Sequence, residues 1–240
     1  MLTEERWNAI IELVNSKKAV TVPELEKELN VSAATIRRDL TELNGMGRIV
    51  KVHGGATSVG THVVSRDLSM EEKHSLNNDE KLLIAKYAAQ LIGPDDFVYI
   101  DAGTTTEMLI DCITETKAVY VTNSFIHARK LTQKGCRVYI VGGELKADTD
   151  ALIGPMAVDA LHKMHFTKGF WGTNGVSDEN GFMTPEPNEA MVKSVSMKQT
   201  EERYVLCDES KFSSVSPISF ADFDSAAIIT NRLSDRKYKK

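Results

Sequence analysis

Along the first fifty-odd residues the apolar positions recur with helical spacing. Between Thr3 and about Ser16 they fall at Trp7, Ile10, Ile11 and Val14, the i, i+3, i+4, i+7 pattern of an amphipathic helix. Thr21 with Glu24 three residues on matches a capping box, Pro23 is tolerated in a first turn, and Leu25 and Leu29 share one face of a short second helix. Asn30-Val31 predicts a tight turn, and Ser32 is placed to cap a third helix on which Ile36, Leu40 and Leu43 face inward. That helix ends at Asn44-Gly45-Met46-Gly47. The stretch from Arg48 to Gly55 alternates in part and closes on a glycine pair, as a small hairpin does.

Beyond a polar stretch the period changes. Glu80 to Ile92 reads as an amphipathic helix, and six short apolar bursts follow: Phe97–Ile100, Val119–Val121, Arg137–Val141, Gly169–Gly172, Tyr204–Cys207 and Ala226–Ile229. Strand-length bursts separated by helix-length segments predict a doubly wound α/β sheet. The organisation expected is therefore a winged helix-turn-helix over residues 1–57, a linker over 58–78 with room for one short helix and for oligomer contacts, and an α/β domain over 79–240. No internal repeat or low-complexity segment interrupts it.

Composition changes this picture little, and charge changes it more. The 240 residues are 42% hydrophobic and 26% charged, ordinary for a globular chain, with no apolar run of membrane-spanning length. The start, MLTEERWNAI, has no basic region followed by an apolar one, so no secretory signal is expected. Cys112, Cys136 and Cys207 lie far apart and form no CxxC pair, which fits reduced thiols and a cytoplasmic protein better than disulfides or a zinc site. The formal net charge of −5 argues against a uniformly basic nucleic-acid binder. Yet residues 32–55 hold four Lys/Arg (Arg37, Arg38, Arg48, Lys51) and two acids (Asp39, Glu42), a net +2 that leaves −7 on the rest. Alone, an arginine pair is an ordinary solvated helix face. On the third helix of a winged helix-turn-helix, beside a basic wing, it is a local footprint for DNA phosphates and base edges.

In the second domain the candidate chemistry gathers where strands end, the edge at which open α/β sheets bind ligands. The first strand runs into Asp101-Ala102-Gly103-Thr104-Thr105-Thr106, where a glycine and hydroxyl side chains at a helix start suit an anion such as phosphate. It is neither a P-loop nor a GxGxxG fingerprint. Thr122-Asn123-Ser124, Gly142-Gly143-Glu144, Gly172-Thr173-Asn174-Gly175 and Asp208-Glu209-Ser210-Lys211 end the other strands. Each alone is loop punctuation; together they would ring one crevice. Lys211 is the natural counter-charge for a phosphate, with Asp101, Asn123 and Glu144 holding sugar hydroxyls. Gly181 to Glu189, stiffened by Pro185 and Pro187, is expected to form a loop over the crevice as a lid. From it and the helix that follows, Glu186, Glu189 and Lys193 either read the ligand or cap and pair on the helix. His127, His162 and His165 show no partner spacing and read as core or surface residues.

The segment VSAATIRRDLTELNGMGRIVKVHGGA resembles the N-terminal signature of the DeoR family of bacterial sugar-catabolism regulators, densely so over about residues 2–56. The resemblance implies operator binding through Thr35, Arg37 and Arg38, with Lys51 and His53 on the wing. From about Lys81 to Phe212, the stretches DAGTTT, VTNS, VGGEL, GTNGV, TPEPNEAMVK and DESKF are similar to the same family's effector domain. That domain is related in fold to ribose-5-phosphate isomerase and glucosamine-6-phosphate deaminase, which implies a phosphorylated sugar as ligand. GTNGVSDENGFMTPEPNEAMVK looks most like the fructose-operon repressors, which makes fructose 1-phosphate the first effector to try. The short basic tail after Ile229 departs from longer members, implying that a terminal strand or oligomer contact of theirs is missing.

Three functions remain open on the residues. A repressor would bind operator DNA as a dimer or tetramer and let go when a sugar phosphate binds, with no membrane and no cofactor involved. An isomerase or deaminase would use one of Asp101, Glu144, Glu186 and Glu189 to move a proton beside a carbonyl, but has no use for Arg37 and Arg38. An activator would use the same two domains.

Overall fold

The computed structural model describes residues 3–17, 19–52, 54–58, 62–63 and 70–232. They divide into two compact units, one built from residues 1–65 with 213–215 and the other from 66–212 with 216–240.

The first unit follows the apolar periodicity closely. Helix α1 (Thr3–Lys17), strand β1 (Ala19–Thr21), helices α2 (Val22–Leu29) and α3 (Ala33–Gly45), and strands β2 (Ile49–Val52), β3 (Gly55–Ser58) and β4 (His62–Val63) come in that order. Thr21 and Glu24 form the capping box in both directions, and Asn30 takes the left-handed conformation (φ 52°) that turns α2 into α3. Strand β3 pairs antiparallel with both β1 and β2, giving a three-stranded winged sheet. A later strand, Ser214–Val215, pairs in parallel with β4. Ile10, Val14, Leu25, Ile36, Leu40, Leu43 and Ile49 close a single core.

The second unit opens with α4 (Met70–His74) and α5 (Asn78–Ala89). It continues through β5 (Phe97–Ile100), α6 (Thr104–Cys112), β6 (Val119–Thr122), α7 (Phe125–Gln133), β7 (Arg137–Ile140), β8 (Glu144–Lys146), β9 (Ala151–Ile153) and α8 (Pro155–Leu161). Then come β10 (Phe166–Gly172), β11 (Gly175–Ser177), β12 (Gly181–Thr184), α9 (Pro187–Lys198) and β13 (Thr200–Leu206); β14 (Ser214–Val215), the β4 partner, belongs to the first unit, and β15 (Ile218–Ala221) and β16 (Ala227–Ile229) complete the second. Six of these strands form one parallel sheet in the order β16-β13-β10-β5-β6-β7. Alternation across the pleat builds two cores. Val98 and Ile100 pack on one face with α5, α6 and α7 residues, while Tyr99 and Trp171 pack on the other with residues of α8 and α9. The fold is thus an N-terminal winged helix-turn-helix and a doubly wound α/β domain.

The chain leaves β5 toward β6 and β7, then returns to the other side of β5 with β10, β13 and β16. Strand order therefore reverses between β5 and β10, and crevices of doubly wound sheets open at such a reversal, outside the carboxyl ends of the strands.

The expected proline-stiffened lid over 181–189 is not a loop. Gly181–Thr184 is β12, buried along its whole length between β11 and β15. The physical reason is packing: Phe182 lies in the second core, Met183 is buried, and only Pro185 and Glu186 separate this strand from α9.

Candidate DNA-binding surface and effector crevice

On α3, Ile36, Leu40 and Leu43 point inward and leave Arg37 and Arg38 exposed, as the spacing predicts. Asp39 does something the charge count did not show. It is buried and accepts two hydrogen bonds from Arg6 (2.6 and 3.0 Å) and one from the Trp7 indole (2.9 Å). Burial alone would raise this carboxyl, but the Arg6 and Trp7 hydrogen bonds outweigh it and hold the group below the ordinary carboxylate range. The acid beside the arginine pair is thus neutralised internally, and the outer face of α3 is more basic than its sequence suggests.

The wing is tied to that helix. Lys51 donates from Nζ to the Thr41 hydroxyl (2.6 Å), which itself donates to the Arg37 carbonyl (2.8 Å), and the Lys51 backbone N–H donates to Asn44 Oδ1 (2.8 Å). Arg48 is exposed at the start of the wing. Ser32 occupies the N-cap position, but its hydroxyl meets that of Thr35 (3.1 Å) instead of capping a backbone N–H. His53 lies outside the described residues.

At the reversal point of the second unit, Asp101 ends β5 and Gly172 ends β10. Lys193, reaching in from α9, forms an ion pair with Asp101 and donates to the Gly172 carbonyl (3.1 Å). Asp101 and Lys193 are both buried, and burial raises the Asp101 carboxyl even against the opposing ammonium. Asn123, ending β6, accepts from the Ala102 N–H (2.9 Å) and so locks the loop into α6. Gly103 (φ 151°) turns the chain into that helix, a conformation L side chains rarely adopt, and Thr106 donates back to its carbonyl (2.9 Å). The first N–H groups of α6, at Thr104 and Thr105, have no partner within the helix.

Ser124 caps α7 by accepting from the His127 N–H (3.3 Å). Glu186 caps α9 by accepting from the Asn188 and Glu189 N–H groups, which is the structural of its two expected roles. Thr173 is spent on the turn into β11, bonded to the Gly175 and Met183 backbones, and the Asn174 N–H donates to the Met183 carbonyl. Glu144 is exposed at the start of β8, apart from the buried cluster.

Sequence reasoning missed two features. One is Lys81, 4% exposed on α5, whose ammonium donates to the Lys73 carbonyl (2.5 Å). Burial pushes this lysine down to about 8; Asp208 opposes the shift, while Lys211 and Lys73 add to it. Asn77 bonds Asp208 in turn (3.0 Å), so Lys81, Asp208 and Lys211 form one charged group at the end of β13. The available signal was a lysine on the apolar face of its helix, in register with Ile84, Ala85 and Ala88.

The other feature is the hairpin β8–β9, which covers the end of β6. The Leu152 N–H donates to the Asn123 carbonyl (2.6 Å), and on the far side Glu189 accepts from Lys146 (2.8 Å) and Thr149 (2.9 Å). At its base Gly143 (φ 154°) permits the close pass of Ile153, whose carbonyl oxygen would stand 2.5 Å from an added Cβ. Among the described residues, no cluster of three or more His, Cys, Asp or Glu is placed to hold a metal, and no helix is long and apolar enough to cross a membrane.

Residues 6–62 match the DeoR-like helix-turn-helix domain and residues 76–232 match the DeoR C-terminal sensor domain. The chain belongs to the DeoR family. It is 43% identical over 96% of its length, and 91% of the relative's, to a Bacillus subtilis protein named as an uncharacterized HTH-type transcriptional regulator, FruR. It is 37% identical, over its full length and 96% of the relative, to the lactose phosphotransferase system repressor of Streptococcus mutans. The repressor of the same name from Staphylococcus aureus is 34% identical over 99% of this chain and 95% of its own. Among solved structures, ribose 5-phosphate isomerase A of Methanocaldococcus jannaschii matches 58% of this chain and 55% of that one, with 18% identity and a TM-score of 0.43.

Proposed function

We propose that this DeoR-family protein is a transcriptional repressor that holds operator DNA through its winged helix-turn-helix and releases it when a phosphorylated sugar occupies the crevice of the second unit. The observation that carries the reading is the disposition of charge. Arg37 and Arg38 stand exposed on α3 while the neighbouring Asp39 is turned inward onto Arg6. In the second unit, the cations Lys81, Lys193 and Lys211 are drawn to the strand ends. The first is an arrangement for a polyanion, the second for a small anion.

On this reading Ser32, Thr35, Arg37, Arg38, Arg48, Lys51 and His53 meet the operator. Asp101, Gly103, Thr104, Thr105, Thr106, Asn123, Ser124, Gly143, Thr173, Asn174, Glu189 and Lys193 surround the effector, with Lys211 and the newly found Lys81 on its phosphate. Two relatives named as repressors of a sugar phosphotransferase system support a phosphosugar. Within that class the resemblance of residues 172–193 to fructose-operon repressors favours fructose 1-phosphate. The protein acts in the cytoplasm as a homo-oligomer, with residues 1–57 for DNA, 58–78 as a linker that carries α4, and 79–240 for the effector. Three of the four candidate carboxylates weigh against an enzymatic role: Asp101 is ion-paired to Lys193, Glu189 to Lys146, and Glu186 caps α9.

The test is fluorescence anisotropy on DNA from upstream of the protein's own operon. Binding should weaken with salt, and Arg37→Ala with Arg38→Ala should lower the slope of log K against log salt by about 2 while leaving sugar binding intact. Fructose 1-phosphate should lower operator affinity about a hundredfold, a coupling of about 2.7 kcal/mol. Operator binding unchanged by the double variant, or by every phosphosugar offered, would refute the respective half.

A further inference from the structure

His127 lies in the first turn of α7 with no exposed surface, and neither of its ring nitrogens has a hydrogen-bond partner among the described residues. Such a ring is costly. An unsatisfied buried donor or acceptor forfeits its hydration without return, so native interiors rarely leave both faces of an imidazole unmet. The ring bears on the Gly103 carbonyl, which favours its protonated form, but that oxygen already accepts from the Glu107 N–H and the Thr106 hydroxyl, each at 2.9 Å. His127 is therefore directed at the turn where β5 passes into α6, between the N-termini of α6 and α7, and the polar groups of that turn are committed to one another.

From this geometry we infer that His127 is a specificity-determining residue of the effector crevice, its ring nitrogens hydrogen-bonding a hydroxyl of the bound phosphosugar. The inference rests on the phosphosugar reading above and adds a group that reads the sugar end of the ligand.

The chemistry favours a hydroxyl over a phosphate. Burial and the nearby Lys130 ammonium keep the ring neutral, with its pKa down at about 3. A neutral imidazole presents one donor and one acceptor, and a hydroxyl matches both, whereas a phosphate calls for donors alone. The cationic group of Lys81 and Lys211 lies at the end of β13, with β10 and β5 between it and β6, the strand that leads into α7 and His127. A ligand with its phosphate on the lysines would bring its hydroxyls toward His127.

The test compares His127→Val and His127→Gln with the wild type, by isothermal titration against fructose 1-phosphate and, separately, inorganic phosphate. Valine removes both nitrogens; glutamine keeps a donor and an acceptor. The expected result is a loss of affinity for fructose 1-phosphate of about tenfold or more in the valine variant, partial recovery in the glutamine variant, and unchanged phosphate affinity in both. The melting temperature of the valine variant should not fall. Wild-type affinity for fructose 1-phosphate in a folded valine variant would make His127 a packing residue and overturn the inference while leaving the phosphosugar reading intact. Equal loss for sugar phosphate and inorganic phosphate in both variants would also overturn it, as a general collapse of the crevice. Failure of the wild type to bind any phosphosugar would bring down the underlying reading itself.

Discussion

The ammonium of Lys81 donates to the backbone carbonyl of Lys73 at 2.5 Å, joining α5 to α4, the helix that opens the second unit. His74, the next residue on that helix, reaches Glu107 of α6 at 3.1 Å. A phosphate drawn to Lys81 competes with the Lys73 carbonyl for the same ammonium. On the proposed reading, effector binding is thereby coupled to α4, the element nearest in sequence to the DNA-binding unit.

This arrangement gives effector binding a pH dependence with a definite sign. The folded pKa of Lys81, about 8, lies below its ordinary 10.5. The stability attached to the neutral amine is present above 10.5 and lost as pH falls through 8, so at neutral pH the buried charge is a cost that a bound phosphate offsets. Relative to pH 7, effector affinity should be about twofold weaker at pH 8 and about tenfold weaker at pH 9, where the free protein must first take up a proton. Lys81→Arg, which stays charged, should abolish the decline, and Lys81→Met should weaken binding at every pH. Titrations at the three values decide it; a wild-type curve level to pH 9 would show that Lys81 does not meet the phosphate.

In the first unit, Arg6→Ala leaves the Asp39 carboxylate buried without its main partner. Arg6 keeps some solvent exposure, so a loss of about 1–3 kcal/mol is expected, seen as an earlier urea transition of that unit. Asp39→Asn should cost a similar amount, and the double variant less than the sum of the two. Because the Asp39 pKa is depressed in the folded state, this stability is present above the unfolded carboxylate pKa and fades as pH falls below it. At pH 3 the difference between wild type and Arg6→Ala should shrink.

His127 provides an acid switch of opposite chemistry. With a folded pKa near 3 against an ordinary 6.5, its neutral form favours the folded state above pH 6.5, and that contribution is lost as pH falls toward 3. Between pH 7 and 4.5 the wild type should lose about 2–3 kcal/mol on this account, and His127→Val should be spared it. Urea unfolding at the two pH values measures both. Parallel losses would mean that the ring protonates without cost in the folded protein.

The central parallel strands were legible because they are largely buried on both faces and so read as unbroken apolar runs. FVYI, VYVT and the GFWG end of β10 announce themselves in this way. The strands ELK, ALI, GVS and GFMT did not, being short, polar or glycine-bearing, and taking their form from partners elsewhere, as β12 does from β15. The same limit governs the candidate sites. Arg37 and Arg38 declared themselves by spacing alone, since the apolar face of α3 excludes them. The inward turn of Asp39 depends on Arg6, 33 residues away, and the setting of Lys81 on Asp208, which Asn77 reaches across 131 positions. Helical periodicity records which face is buried and is blind to what lies against it.

The hairpin β8–β9 is the last element with a testable role, because its hold on the crevice is divided. One side is a backbone bond, from the Leu152 N–H to the Asn123 carbonyl at 2.6 Å; the other is the Glu189 carboxylate gripping Lys146 and Thr149, with Thr184 on its second oxygen at 3.4 Å. The turn between the strands is further joined to α4 by the Met70 N–H on the Asp148 carbonyl (3.1 Å). Glu189→Gln removes the charge that retains Lys146 and should cost about 1–2 kcal/mol of local stability, enough to raise amide exchange at Leu152 about tenfold without lowering protection in the central strands. If the effector lies beneath the hairpin, saturating fructose 1-phosphate should restore much of that protection in the variant. Faster exchange that the ligand does not slow would place the hairpin outside the binding path and leave Glu189 a purely structural clasp.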